Sequence, residues 1–128
     1  MNDPIKIAVD AMGGEDSPNK VISGVEIHHL SSRNTFYNIF GDNNKIEPLI
    51  KRSKVSKENY KIFHTDNKIE DEDSPLSAAK KGKNSSMWLS IESLKKFESD
   101  ATVSAGNTGA LFVIAKLNLK MIEKIDKP

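Results

Sequence analysis

The sequence predicts an α/β fold in three αβα layers with a mostly parallel sheet. Short β-branched runs alternate with segments whose apolar residues recur at helical spacing, which is the pattern of strand–helix units. Glycine-bearing turns follow two of these runs, where a strand passes into a helix. The chain has 128 residues, the size of one domain, and shows no internal repeat or linker. We therefore expect one α/β unit over residues 1–128, with right-handed crossovers between its strands.

The first half of the chain predicts strands separated by helices. Ile5 to Val9 is a compact β-branched run that predicts a strand. Ser17 and Pro18 then supply an N-cap and a first-turn proline for a helix. The apolar stripe of that helix consists of Val21, Ile22, Val25 and His29. The elements after it are a strand at Thr35 to Phe40, a short helix around Ile46, Leu49 and Ile50, and a strand at Tyr60 to His64.

The second half of the chain predicts further helices and one more strand. Ser74 and Pro75 begin a helix that Gly82 interrupts. A strand follows later at Ala101 to Ser104, and the last helix runs from Ala110 to Ile122. The helix before that strand carries Met87, Trp88, Ile91, Leu94 and Phe97.

Two features of this pattern predict that the α/β unit is incomplete. The last helix is apolar on nearly every face, and such a helix needs cover on all sides. Four strands are also few for a parallel sheet that is buried on both faces. We therefore expect the chain to form part of a larger α/β domain.

Composition and charge exclude several classes of protein. Lysine plus arginine number 19 and aspartate plus glutamate 18, so the net charge of +1 lacks the basic bias of a general nucleic-acid binder. The chain has no cysteine, which excludes disulfides, thiolate metal sites and a cysteine nucleophile. The longest apolar run, Ala110 to Ala115, is too short to span a bilayer, and the polar N-terminus lacks the apolar core of a signal peptide. We expect a cytoplasmic protein.

Two loops predict an anion site at one edge of the sheet. In an open parallel sheet, ligands bind beyond the carboxyl ends of the strands, and residues 10–16 and 104–109 both leave a predicted strand there. Their glycines let the backbone approach a ligand, and free N–H groups at a helix start attract anions. Asn107 or Thr108 caps the helix, and Ser104 adds a hydroxyl. The alternative is that both loops are ordinary turns, with glycine where φ is positive.

A lysine-rich segment is a second candidate for phosphate binding. Lys80, Lys81 and Lys83 precede Ser85 and Ser86, which predict another helix start. A phosphate there contacts both an ammonium group and a helix N-terminus. A plain lysine-rich helix end is the alternative interpretation.

Other polar clusters favour structural or surface roles. His28 and His29 point about 100° apart on a helix, so they do not form an i, i+4 metal pair. His64 ends a strand near the ligand edge and remains a polar candidate. The acidic run 70–73 and the basic stretch 51–61 are typical of solvated surface. The sequence contains neither a G-x-G-x-x-G nucleotide fingerprint nor a G-x-S-x-G nucleophile elbow.

Four blocks of sequence resemble one known family. Residues 5–14 (IKIAVDAMGG), 83–87 (KNSSM), 103–111 (VSAGNTGAL) and the closing 125–128 (IDKP) are similar to the phosphate acyltransferases of bacterial phospholipid synthesis. The blocks occur in the family's order and spacing. The resemblance covers essentially all of the chain but only the N-terminal portion of the longer family members.

The resemblance implies an enzyme that transfers a fatty acyl group from acyl carrier protein to inorganic phosphate, which gives an acyl phosphate. It further implies a fold like that of the isocitrate/isopropylmalate dehydrogenases, a homodimer at full length, a soluble or peripherally membrane-associated protein, and no metal, nucleotide or other cofactor. Glu15 stands where the family usually has aspartate. Ser77 and Gly82 lie in a segment that is usually more basic.

The resemblance and the loop chemistry together give a hypothesis for the site. Backbone N–H groups of residues 106–109 and the hydroxyls of Ser104 and Thr108 surround phosphate, while Asp10 orders the loop. Lys83 adds positive charge and Ser86 a further donor. The predicted phosphate and substrate site comprises Asp10, Gly13, Gly14, Lys83, Ser86, Ser104, Gly106, Asn107, Thr108 and Gly109.

Two alternatives belong to other functional classes. The first is a non-catalytic fragment or a phosphate-binding module that has no activity by itself. The second is a nucleotide-binding oxidoreductase domain, against which the missing glycine fingerprint argues.

Overall fold

The computed structural model describes residues 3–124, and the family-like block at 125–128 lies outside that range. The described residues confirm the α/β class. The strands are β1 (Ile5–Asp10), β2 (Thr35–Gly41), β3 (Tyr60–His64) and β4 (Ala101–Ser104). The helices are α1 (Asn19–Ser31), α2 (Asn43–Arg52), α3 (Pro75–Lys81), α4 (Ser86–Lys95) and α5 (Thr108–Asn118). A short 3₁₀ turn, Lys57–Asn59, precedes β3.

The four strands form one parallel sheet in the order β3-β2-β1-β4. β1 pairs with β2 on one side, where Ile5 lies opposite Thr35, and with β4 on the other, where Asp10 lies opposite Ser104. The connections through α1 and α2 therefore step outward in one direction, and the connection through α3 and α4 steps to the opposite side of β1. The strand order reverses between β1 and β4, and that is where open α/β sheets place their ligands.

Two apolar clusters hold the helices on opposite faces of the sheet. The first joins α1 and α2 to one face, with Ile22, Tyr37 and Ile39 at its centre. The second lies among α3, α4 and α5 and includes Met87 and Ile114. The result is the predicted three-layer arrangement, because α4 also contacts β1, β2 and β4 on the face that α1 leaves free.

The predicted start of α1 and the predicted end of α4 are wrong. Ser17 is not the N-cap of α1, because its Oγ donates to the Gly13 carbonyl at 2.5 Å and Pro18 occupies the cap position. Phe97 is not on α4, which ends at Lys95. Phe97 instead adopts φ 60° and is 94% exposed, while the Glu98 N–H donates to the Ser93 carbonyl and closes the helix end.

The last helix is shorter than predicted and begins earlier. Asn107 Oδ1 accepts a hydrogen bond from the Ala110 N–H, so α5 starts at Thr108, and it ends at Asn118 instead of Ile122. Ala110 and Ile114 are fully buried against the neighbouring helices. Leu117 remains 61% exposed, so part of this apolar helix does lack cover.

The two histidines of α1 have structural surroundings. His29 is buried, and desolvation, followed by the nearby Arg33 and His28, lowers the pKa of its imidazole. His28 Nδ1 lies 2.6 Å from the Tyr37 hydroxyl oxygen, and burial raises the pKa of that phenol. This placement agrees with the prediction that these residues are core-edge histidines.

Candidate functional site

The two glycine-bearing turns meet at the carboxyl edge of the sheet, as predicted. A β-carbon built on Gly13 would lie 2.9 Å from the Gly106 nitrogen, and one built on Gly106 would lie 3.2 Å from the Gly13 Cα. The turn after β1 leads to α1 on one face, and the turn after β4 leads to α5 on the other. The turns therefore form the two sides of a crevice, which we call the β1/β4 rim.

The glycines at this rim are required for two different reasons. Gly14 has φ 91°, and a β-carbon on it would lie 2.7 Å from the Ala105 carbonyl oxygen. Gly13 and Gly106 have no such φ and are glycines because the two backbones pass in contact. The ordinary-turn alternative thus accounts for the backbone angle of Gly14 but not for the close approach of the other two.

Asp10 connects the parts of the rim. Its side chain is 1% exposed, and its Oδ1 accepts from the Ser86 hydroxyl at 2.5 Å and from the Met12 N–H at 3.3 Å. Its Oδ2 accepts from the Ser104 hydroxyl at 2.6 Å, and the Ser104 oxygen in turn accepts from the Gly106 N–H at 3.1 Å. One buried carboxylate thereby fixes β1, the start of α4 and the turn after β4. These hydrogen bonds order the loop in the way that the sequence analysis expected of Asp10.

This network limits which groups can donate to an anion. The hydroxyl protons of Ser86 and Ser104 are both directed to Asp10, so these side chains present only lone pairs elsewhere. The donor role expected of the two serines is therefore not available while Asp10 accepts from both, and the Gly106 N–H, also an expected donor, is taken up by the Ser104 oxygen. Donors for an anion have to come from the backbone, from Thr108 and from nearby lysines.

The N-terminus of α5 supplies such donors. Thr108 and Gly109 are the first residues of the helix, and within residues 3–124 their N–H groups have no hydrogen-bond partner. The Thr108 side chain is exposed. A β-carbon on Gly109 would lie only 2.6 Å from Pro75 Cγ, so the start of α3 packs directly on this turn. Two free amides and one hydroxyl thus lie at the positive end of a helix.

The Asn107 side chain is occupied by structural bonds. Its Oδ1 caps α5, and its Nδ2 donates to the backbone carbonyls of Glu70, Asp71 and Asp73 at 3.2, 3.3 and 2.7 Å. The acidic segment that we interpreted as solvated surface therefore has a second role, since its backbone positions the α5 turn. Sequence reasoning missed this contact, and charge pattern alone gives no signal for it.

Lys83 lies in the turn that leads into α4, with its side chain exposed. Ser85 caps α4 by accepting from the Trp88 N–H, and the next residue, Ser86, reaches Asp10. The Lys83 segment is therefore anchored at the same rim as the two glycine turns. Lys80 and Lys81 lie in the last turn of α3 and are also exposed.

Other sequence candidates are not part of the rim. His64 Nδ1 accepts a hydrogen bond from the Asn43 N–H at 3.0 Å and thereby positions the start of α2. Among residues 3–124, no three His, Asp or Glu side chains are grouped closely enough to hold a metal ion. In the same part of the chain, no helix is long and apolar enough to cross a membrane.

Comparison with known proteins identifies the family. A family model described as "Fatty acid synthesis protein" matches residues 5–128. The chain is 57% identical over 128 residues to a phosphate acyltransferase of Pelagibacter ubique, which covers all of this chain and 38% of that relative. It is 41% identical over 129 residues to a phosphate acyltransferase of Azorhizobium caulinodans and 39% identical over 128 residues to one of Paramagnetospirillum magneticum, each with 36% of the relative covered.

The chain thus spans little more than a third of the length of these curated relatives. The matched region nevertheless includes β1, α4, β4 and both turns of the rim. On the match over residues 5–128, the chain belongs to the fatty acid synthesis protein family.

Proposed function

We propose that the β1/β4 rim binds inorganic phosphate and that the chain takes part in transfer of a fatty acyl group from acyl carrier protein to that phosphate, giving an acyl phosphate for lipid synthesis. The observation that carries the proposal is the position of the free Thr108 and Gly109 amides. They belong to the same turn after β4 as Gly106, and Gly106 contacts Gly13 across the β1/β4 rim. Relatives named phosphate acyltransferase support the acyl-transfer assignment.

The chemistry of this reaction suits a site without a protein nucleophile. A phosphate oxygen attacks the thioester carbonyl, the carbon–sulfur bond breaks, and the carrier's thiol leaves. The protein has only to bind an anion, align it with the carbonyl and stabilise the tetrahedral oxyanion. Alignment can supply about 7–11 kcal/mol of the barrier reduction, and one oxyanion donor about 3–4 kcal/mol. A chain without cysteine can provide both.

Asp10 acts in this proposal as a positioning residue. A carboxylate close to phosphate repels it, but Ser86, Ser104 and the Met12 N–H donate hydrogen bonds to the Asp10 oxygens and offset part of its charge. The Lys83 ammonium adds the positive charge that two anions in proximity require. Asp10 therefore holds the turns in place, while the α5 amides, Thr108 and Lys83 contact the phosphate.

The partners follow from the same chemistry. The exposed lysines Lys80 and Lys81, in the last turn of α3, and Lys83, before α4, form a suitable contact for an acidic carrier protein. A homodimer at full length and peripheral membrane association complete the proposal. A phosphate-binding module without activity by itself is the second candidate, since the chain covers only 38% of the Pelagibacter relative. Acyl-phosphate formation by the isolated chain would reject that second candidate.

The proposal is tested by removing the two side chains that contact phosphate. The test protein is a chimera in which this chain replaces the matching region of the Pelagibacter ubique relative. In the chimera, Thr108→Val together with Lys83→Ala should lower acyl-phosphate formation at least about 1,000-fold, because one oxyanion-type donor is worth about 100- to 1,000-fold. The matched control, Thr108→Ser with Lys83→Arg, keeps the hydroxyl and the charge and should retain most activity. Unchanged turnover in the first variant, with the fold intact by circular dichroism, would reject the site.

A further inference from the structure

An irregular segment, residues 65–73, connects the two turns that carry the proposed phosphate ligands. It follows β3 and ends just before the start of α3. We call it the bridging segment. One of its ends contacts the turn before α4, where Lys83 lies, and the other contacts the turn before α5, where Thr108 lies. Both side chains assigned to the phosphate are therefore next to a contact with the same segment.

Thr65 fixes the first end of the bridging segment. It is buried, and its N–H donates to the carbonyl of Gly41, at the end of β2, at 2.9 Å. Its hydroxyl donates to the carbonyl of Asn84 at 2.6 Å. Asn84 directly follows Lys83 in the chain. One buried hydroxyl thus ties the backbone beside Lys83 to the carboxyl end of the sheet.

The start of α4 is held by the same end of the segment. The Thr65 hydroxyl oxygen also accepts from the Asn67 N–H at 3.2 Å, and the Asn67 carbonyl accepts from the Ser86 N–H at 3.1 Å. Ser86 is the first residue of α4, and its side chain reaches Asp10. The bridging segment is therefore bonded to the first amide of α4 as well as to the turn before it.

Asn107 fixes the other end of the bridging segment. Its Nδ2 donates to three carbonyls of that end, those of Glu70, Asp71 and Asp73. Its Oδ1 meanwhile accepts from the Ala110 N–H as the cap of α5. The two ends of one amide group therefore bond to two elements, and the start of α5 is placed relative to the segment.

The middle of the bridging segment is packed and closed by local hydrogen bonds. Ile69 is buried in the apolar cluster among α3, α4 and α5, and a β-carbon on Gly82 would lie only 3.1 Å from its Cδ1. The Glu70 N–H donates to Asp73 Oδ2 at 2.9 Å, and the Asp73 N–H donates to the Glu70 carbonyl at 3.2 Å. Close-packed structure transmits strain, so a displacement of one end reaches the other.

We propose that the bridging segment sets the separation between Lys83 and the turn of Thr108, with Thr65 and Asn107 as positioning residues for the phosphate. This role rests on the proposed function, in which Lys83 and Thr108 contact the same anion. An ammonium group and helix amides bind one phosphate together only at a separation that matches its size, and a misplacement of about 1 Å can cost about 100-fold in rate. Thr65 acts through Lys83, and Asn107 acts through the start of α5.

Amide hydrogen exchange of the isolated chain tests the coupling in the absence of phosphate. Asn107→Ser keeps a capping oxygen for α5 but removes the three donations to the bridging segment. Exchange of the Ser86 N–H, whose acceptor is the Asn67 carbonyl, should become at least about 10-fold faster, while the amides of β1 keep their rates. Unchanged exchange at Ser86 would show that the two ends are independent and would overturn the proposal.

The Michaelis constant for phosphate in the chimera tests the positioning role. Thr65→Val removes the hydroxyl that holds Asn84 and should raise the KM for phosphate at least about 10-fold, with a smaller change in kcat. Thr65→Ser keeps the hydroxyl and is the matched control, with a KM close to that of the parent. In a Lys83→Ala background, Thr65→Val should have little further effect, because the group that it positions is absent. An equal effect in both backgrounds would mean a general loss of stability and would overturn the proposal.

Two further outcomes separate this proposal from the proposed function. If Lys83→Ala alone left the KM for phosphate unchanged, the phosphate site would be rejected, and with it the positioning roles of Thr65 and Asn107. If Lys83→Ala raised the KM and Thr65→Val did not, the phosphate site would stand and the bridging segment alone would lose its role.

Discussion

Replacing Asp10 by alanine is expected to abolish acyl transfer in the chimera and to lower the unfolding free energy of the isolated chain by about 3 kcal/mol. The substitution leaves the buried Ser86 hydroxyl, the half-buried Ser104 hydroxyl and the Met12 N–H without their acceptor, and each unsatisfied buried donor costs about 1–3 kcal/mol. It also disconnects the start of α4 from β4. Urea unfolding of the isolated chain and acyl-phosphate formation by the chimera measure the two effects.

Asp10→Asn separates the structural effect from the effect of charge. The amide keeps one acceptor oxygen, and the hydroxyl next to its NH₂ group can rotate to accept. We expect a stability loss of only about 1 kcal/mol, with activity still greatly reduced because the proton of the serine hydroxyl next to the NH₂ group changes direction. Asp66→Ala removes an exposed carboxylate and serves as the control. Wild-type stability of Asp10→Ala would contradict the assigned network.

Alanine substitutions at Gly13 and Gly24 are expected to change stability in opposite directions. A β-carbon on Gly13 would lie 2.6 Å from Asp10 Oδ2 and 2.9 Å from the Gly106 nitrogen, so the two turns have to separate. Such overpacking costs about 1–3 kcal/mol. A β-carbon on Gly24 meets nothing within 4 Å, and alanine in a helix is worth about 1 kcal/mol over glycine. Urea unfolding of the two variants measures the difference.

The pair of variants is its own control, because both add the same methyl group. Phosphate binding should weaken in Gly13→Ala and remain unchanged in Gly24→Ala, since only the first is at the rim. If Gly13→Ala proved as stable as the parent chain, that result would contradict the close contact between the turn at Gly13 and the turn at Gly106.

Local sequence signals predicted most of the fold. Ser74 and Ser85 cap α3 and α4 as expected, because their side chains accept from the Ser77 and Trp88 N–H groups. Ser17 has the same signal and fails, because α1 begins only at Asn19 and Pro18 occupies the cap position. Phe97 fails because apolar spacing does not show where a backbone turns into the left-handed region. Both errors come from contacts and angles that spacing does not encode.

The candidate site could be predicted in position but not in detail. Because the carboxyl ends of parallel strands lie at one edge of a sheet, the sequence predicts that the two glycine turns meet there. The roles within the site depend on contacts across 76 and 94 positions, from Asp10 to Ser86 and to Ser104. Those contacts fix the direction of the hydroxyl protons, and no local pattern specifies it.

The most direct test of the whole account is a titration of the isolated chain with inorganic phosphate, in which NMR measures the chemical shifts of the backbone amides. Saturable shifts should be confined to the backbone of Gly13, Gly106, Thr108 and Gly109, with a weaker response at Lys83. If phosphate instead moved only amides of the basic stretch 51–61, or moved none in a folded chain, the rim would not be an anion site and the acyl-transfer proposal would have no structural support.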